Sequence, residues 1–107
     1  MGPNLVFIST PTMDLTKETI HQNLQSARDE FKHRYGDVYR DIIFESSLSF
    51  ADPPSGCEYD GAWYLGAEIK IMSQCDAVFF YGNWKEDFNC KIAHQVCEQY
   101  GIPYTEV

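Results

Sequence analysis

The sequence is short of positive charge, and it has no long apolar run. Its 8 Lys and Arg residues stand against 16 Asp and Glu residues, which gives a formal net charge of -8. Because an acidic surface repels phosphate backbones, the sequence predicts binding neither to a nucleic acid polymer nor to an anionic membrane. Apolar runs long enough to span a bilayer and a signal-peptide pattern are also missing, so no membrane association is expected.

Paired cysteines of the Cys-x-x-Cys type are absent as well. The spacing of Cys57, Cys75, Cys90 and Cys97 fits neither a zinc ribbon nor the disulfide framework of a small secreted domain. Three of them lie in apolar segments, where a free cysteine behaves as a small hydrophobic residue. We therefore expect reduced thiols and a cytoplasmic protein. The three histidines lack a second ligand at metal spacing, and no P-loop, Gly-x-Gly-x-x-Gly or Gly-x-Ser-x-Gly motif occurs, so neither a metal nor a cofactor is expected.

What the sequence does contain is ample material for one core. Of its 107 residues 44% are hydrophobic and 15% aromatic, which predicts a single domain spanning residues 1–107. Short apolar runs predict strands at 5–8, 42–44 and 77–81, with a last short strand after Pro103. Between them, helices are predicted from an N-cap at Thr16 to Gly36, over roughly 60–74, and from Asp87 to Gly101.

Strands and helices thus alternate along the chain, and right-handed crossovers turn that order into a parallel sheet covered by helices. We predict an α/β fold, a small flavodoxin-like or Rossmann-like three-layer domain with a four-stranded parallel sheet. Ligands of such open sheets bind at the carboxyl ends of the strands. The loops 9–15, 46–59 and 82–87 reach that edge, and the middle one has the length of a functional loop.

Acids and aromatic residues at this edge are the candidate site residues. Asp87 begins the third helix, where capping explains an aspartate as well as a ligand role does. Glu68, in the second helix, is either a solvated charge or a ligand contact. Trp84 lies beside Asn83 in a polar loop and is expected to be exposed, where it would stack on a base or seal an oligomer interface. Tyr64 would either hydrogen-bond to a sugar or pack in the core.

The order and spacing of these residues form a wider pattern. It runs Tyr64-x3-Glu68-x7-Asp76-Ala77-Val78, then Asn83-Trp84-x2-Asp87, then Gly101-Ile102-Pro103. This pattern resembles the nucleoside 2-deoxyribosyltransferases, and more closely the short phage and bacterial domains related to them. The opening Phe7-Ile8-Ser9-Thr10-Pro11 is similar to the first strand and Gly-Pro turn of that family, with Thr10 in place of the glycine. The resemblance spans most of the chain and is best over residues 64–107.

The resemblance implies a nucleoside or nucleotide ligand and a homo-oligomer, since relatives commonly complete their sites with a residue from a neighbouring subunit. Glu68 and Asp87 match the family's two binding acids. The other implied contacts come from the first loop, the second helix and the third loop: Ser9, Thr10, Pro11, Thr12, Tyr64, Asn83 and Trp84. In the family a glutamate six residues beyond the loop acid attacks the anomeric carbon and forms a covalent intermediate. Ala93 occupies that position here, so the standard transferase mechanism is not expected.

Three functions follow as hypotheses. The first is a nucleoside- or nucleotide-binding domain without the usual nucleophile. The second is an N-glycoside hydrolase or transferase acting on nucleosides or nucleotides, in which Glu68 or Asp87 activates water at the anomeric centre. The third is a non-catalytic assembly or inhibitor protein that uses the fold only as a surface for another protein.

Overall fold

The computed structural model describes residues 3–107, in which strands and helices alternate. The strands are β1 (Asn4–Ser9), β2 (Ile42–Glu45), β3 (Ala77–Phe80) and β4 (Tyr104–Glu106). The α-helices are α1 (Lys17–Tyr35), α2 (Asp60–Met72) and α3 (Phe88–Tyr100), and a 3₁₀ turn at Trp84–Glu86 precedes α3. All strands are parallel, in the order β2-β1-β3-β4, which confirms the predicted α/β fold and its four-stranded sheet.

Helices cover both faces of the sheet and give the domain three layers. On one face, Val6 and Phe79 pack with Phe31 of α1. On the other face, Phe7 and Phe80 belong to a cluster with side chains of α2 and α3. Successive strand residues point to opposite faces, so the short apolar runs of β1 and β3 supply both cores. None of the helices within residues 3–107 combines the length and the apolar character needed to cross a bilayer.

The ends of α1 and α3 follow the capping signals in the sequence. The Thr16 hydroxyl accepts a hydrogen bond from the Thr19 N–H at 3.1 Å, and the Asp87 carboxylate accepts one from the Cys90 N–H at 3.0 Å. Each bond satisfies a backbone donor that a helix start leaves free. Gly101 ends α3 with a φ of 71°, a conformation that favours glycine because it has no Cβ.

Two reciprocal hydrogen bonds fix β1 beside the segment that leads into β3. The Leu5 N–H donates to the Asp76 carboxylate at 2.8 Å, and the Asp76 N–H donates to the Leu5 carbonyl at 2.7 Å, although 71 residues separate the two. With the strands held in this register, their carboxyl ends open onto one edge of the sheet. The loops 9–15, 46–59 and 82–87 follow three of those ends, as the sequence predicts.

Candidate functional site

A cavity of about 460 Å³ opens at the carboxyl edge of the sheet. Residues from the loop after β1, the loop after β2, helix α2 and the start of α3 line it. Among them are five of the predicted site residues, Thr10, Thr12, Tyr64, Glu68 and Asp87. The volume lies within the range of small-molecule sites, and residues far apart in the chain converge on it, as they do in ligand-binding clefts.

Four predicted site residues do not line this cavity: Ser9, Pro11, Asn83 and Trp84. The expectation of an exposed Trp84 is wrong. Its side chain is 5% exposed, with its ring centroid 5.0 Å from that of Phe80 and 4.7 Å from that of His94. The 3₁₀ turn folds the indole back into the core shared by β3 and α3, so the ring presents no free face for stacking on a base. Ser9, at the end of β1, is also buried.

Asp87 caps α3, which is one of the two roles that the sequence offers for its position, and it also lies where the second role, contact with a ligand, would be possible. Its carboxylate caps α3 through the Cys90 N–H and also forms part of the cavity wall. The cap holds the side chain in place, because a bond to the backbone of the first helical turn restricts its rotamers. A ligand would therefore meet a carboxylate whose position is set before binding.

Glu68 lies partly buried in α2 and faces the same cavity. Burial, together with the negative charge of Asp87, raises the pKa of Glu68 to about 7 from an ordinary value of 4.5. Both effects disfavour a second negative charge in a poorly hydrated place. Near neutral pH, Glu68 thus exchanges between a neutral acid that donates a hydrogen bond and a carboxylate that accepts one. The alternative of a freely solvated charge does not describe this residue.

Aromatic side chains attach the long loop after β2 to helix α2. The Tyr64 hydroxyl donates a hydrogen bond to Asp52 at 3.1 Å. The ring of Phe50 has its centroid 6.0 Å from the rings of both Trp63 and Tyr64. These contacts bring Phe50 and Asp52 of the loop into the cavity wall. The loop thereby adds an apolar ring and a carboxylate to the polar groups of α2.

Several lining residues were not predicted from the sequence, among them Lys17, Phe50, Asp52, Asn89 and Cys90. Lys17 and Asn89 lie in first turns of helices that begin at the carboxyl edge, and this position was a signal for both. An aromatic and an acidic residue in the long loop gave a weaker signal for Phe50 and Asp52. Cys90 gave none. Burial raises the pKa of its thiol well above the usual range, so Cys90 serves as apolar wall and not as a nucleophile.

The position that carries the nucleophile in the resembled family lies outside the cavity wall. Ala93 is 1% exposed and packs in the core between α3 and the sheet. The neighbouring His94 contacts Glu98 and Glu106 and does not line the cavity either. Within residues 3–107, no three His, Cys, Asp or Glu side chains are placed to hold a metal ion together. The cavity wall itself presents carboxyl groups, hydroxyls and one lysine.

Comparisons of the chain with protein-family models, with curated proteins and with solved structures gave no match.

Proposed function

We propose that the domain binds a nucleoside or nucleotide in the cavity at the carboxyl edge of the sheet. The observation that carries the proposal is the convergence of Tyr64, Glu68 and Asp87 on one cavity at the edge where open parallel sheets bind their ligands. Phe50 supplies a ring on which a base can stack. Carboxylates and the tyrosine hydroxyl suit the hydroxyls of a sugar, which donate and accept hydrogen bonds.

The charge of the cavity wall favours ligands with little negative charge. The cavity wall has three acidic residues, Asp52, Asp87 and Glu68, of which Glu68 is only partly ionised near neutral pH. Lys17 is the one basic residue among the lining residues. A triphosphate would bring several negative charges next to these carboxylates, and repulsion at short range costs binding energy. Nucleosides and nucleoside monophosphates are therefore the first ligands to examine.

Isothermal titration calorimetry against a panel of nucleosides, monophosphates and triphosphates tests the proposal. Asp87→Asn keeps a side chain able to cap α3 but removes the charge, and it should weaken binding about tenfold or more, because a hydrogen bond to a charged group is lost. Glu86→Gln changes the adjacent, exposed acid and should leave the affinity unchanged. Absence of binding across the panel would refute the proposal, and equal affinity in Asp87→Asn would refute the role of Asp87.

The pair formed by Glu68 and Asp87 favours a second candidate function, hydrolysis of an N-glycosidic bond. A carboxyl group whose pKa is raised to about 7, as that of Glu68 is, suits a general acid, and a second carboxyl group in the same cavity can act as the general base. Asp87 would take a proton from a water molecule while the oxygen of that water attacks the anomeric carbon. The C–N bond would break with its electron pair going to the base, and protonated Glu68 would donate its proton to that base.

Chromatographic detection of free base released from nucleosides tests this candidate. Glu68→Gln and Asp87→Asn should each reduce the rate at least about a hundredfold, the usual contribution of a catalytic acid or base. Unchanged rates in both variants would reject it. Binding without any base release would leave the binding function as the conclusion.

We propose further that the domain acts in the cytoplasm as a homo-oligomer. Its four cysteines are free, which suits a reducing compartment. Phe88 and Tyr100, which are 64% and 76% exposed on α3, offer apolar surface to a second copy. Light scattering tests the oligomeric state, and a monomer at all concentrations would refute this part of the proposal.

A further inference from the structure

Helix α3 has a row of apolar side chains that the rest of the domain leaves partly uncovered. Phe88, Ile92, Val96 and Tyr100 recur at every fourth position, from the first residue of the helix to the last. The two end residues are mostly exposed, and the two middle ones are partly buried. A row with this spacing forms a ridge, which is the feature that packs between the side-chain rows of a facing helix. An apolar ridge in contact with water therefore favours burial against another helix.

The two halves of this helix face have complementary shapes. The C-terminal half has a shallow depression of about 540 Å³, lined by Ile92, Gln95, Val96, Glu98, Gln99 and Tyr100. The N-terminal half has instead the exposed ring of Phe88. If two copies of α3 pack antiparallel about a two-fold axis near position 94, the start of each helix lies beside the end of the other. Phe88 of each copy then meets the depression of the second copy, as the self-complementarity of a two-fold interface requires.

The charged residues of α3 follow the same symmetry. Lys91 and Glu98 are both exposed, and they lie along one side of the helix because seven residues make almost two full turns. Their midpoint is next to position 94, so the same two-fold axis places Lys91 of each copy opposite Glu98 of the second copy. Within residues 3–107, Lys91 forms no ion pair. Glu98 contacts His94 at 3.0 Å, but its side chain is 58% exposed and has a second carboxylate oxygen for another partner.

We infer that the outer face of α3 is a dimerisation surface and that its partner is a second copy of this chain, bound with the two α3 helices antiparallel. The apolar row, the depression and the charged pair share one midpoint, which a two-fold axis demands and a partner of another sequence does not. Each copy has a net charge of -8, so the copies repel each other as a whole and the attraction has to come from this face. This dimer rests on the homo-oligomer proposed above and names its contact surface.

Charge reversal tests the pairing, with sedimentation velocity measuring self-association over a range of protein concentrations. Lys91→Glu places like charges opposite each other in both symmetric contacts, and so does Glu98→Lys. Each variant alone should therefore dimerise at least about tenfold more weakly than the wild type. An equimolar mixture of the two variants should dimerise with nearly the affinity of the wild type, because every contact then joins opposite charges. The mixed dimer has the same total charge as two wild-type copies, so overall repulsion does not explain such a recovery.

Matched variants at exposed positions away from α3 are the controls. Arg40→Glu changes the net charge by the same amount as Lys91→Glu, in the segment before β2, and should leave dimerisation nearly unchanged. Phe88→Ala should weaken dimerisation about tenfold or more, because an aromatic side chain that fills a depression is a typical interface anchor. Val38→Ala, which shortens a comparably exposed apolar side chain before β2, should not. Circular dichroism checks that each variant keeps the fold.

Three results would overturn the inference, and they differ in what they leave standing. If the wild type dimerises but the single reversals dimerise equally well, or their mixture stays monomeric, the copies associate through another surface and only the homo-oligomer proposal stands. A wild type that is monomeric at every concentration would overturn both and would leave the row on α3 to a partner of another sequence. Nucleoside binding is tested separately by calorimetry, because none of the substituted residues lines the cavity.

Discussion

Glu68→Gln measures what burying the charge of Glu68 costs in stability, because the amide removes the charge and has nearly the size of the protonated acid. The raised pKa, about 7 in place of 4.5, corresponds to roughly 3 kcal/mol at about 1.4 kcal/mol for each unit of pKa. Below about pH 4.5 the side chain is protonated in both the folded and the unfolded chain, so it costs no stability. As the pH rises from there to about 7, the unfolded chain ionises first and the wild type loses stability, and above that range the loss is constant.

Urea unfolding of the wild type and Glu68→Gln at about pH 5 and pH 8 measures this effect. The free energy of unfolding of the variant, relative to the wild type, should be higher at pH 8 than at pH 5 by roughly 2 to 3 kcal/mol. Glu58→Gln, which changes an exposed acid in the loop after β2, is the control, and its relative stability should differ by less than about 0.5 kcal/mol between the two pH values. An equal stability difference for Glu68→Gln at both pH values would refute the burial of its charge.

Other variants test the cap of α3, the burial of Trp84 and the backbone conformations of two glycines. Asp87→Ala should lower the free energy of unfolding by about 1 kcal/mol in urea, whereas Asp87→Asn should leave it nearly unchanged, and equal losses would contradict the capping role. Trp84→Ala should lower it by about 3 to 5 kcal/mol, as expected for a buried aromatic ring, and a loss below about 1 kcal/mol would contradict the buried position. Gly101→Ala should lower the Tm because the φ of Gly101 is positive. Gly66→Ala should raise the Tm, because alanine has the higher helix propensity and an added Cβ meets no atom within 4 Å. The opposite order of these two Tm values would contradict the assigned conformations.

Much of the fold was predictable because it depends on local signals. The four buried residues of β3 form one apolar run, and the Thr16 cap and Gly101 mark helix ends by their own chemistry. The location of the cavity followed from topology alone, since parallel strands place their carboxyl ends at one edge. Tyr64, Glu68 and Asp87 were found because they lie at that edge at a recognisable spacing.

The environments of individual side chains were harder to predict because they depend on residues distant in the sequence. Trp84 stands among polar neighbours, and only the folding of the turn onto Phe80 and His94 makes it a core residue. Glu68 has an ordinary helical context, but its raised pKa comes from burial and from Asp87, which is 19 residues away in the sequence and lines the same cavity. Periodicity along one helix reports which face is apolar, but not whether another segment covers the polar face.

The central place of β1 in the sheet determines what a growing chain exposes during synthesis. Its partner β2 is complete by Glu45, whereas the second partner, β3, begins only at Ala77. In the interval, one edge of β1 has free amide and carbonyl groups next to side chains from Val6 to Ser9 that are all buried in the finished domain. Such an edge recruits other strands, including those of neighbouring nascent chains. Aggregation during translation should therefore depend on how quickly the ribosome passes from Glu45 to Phe80.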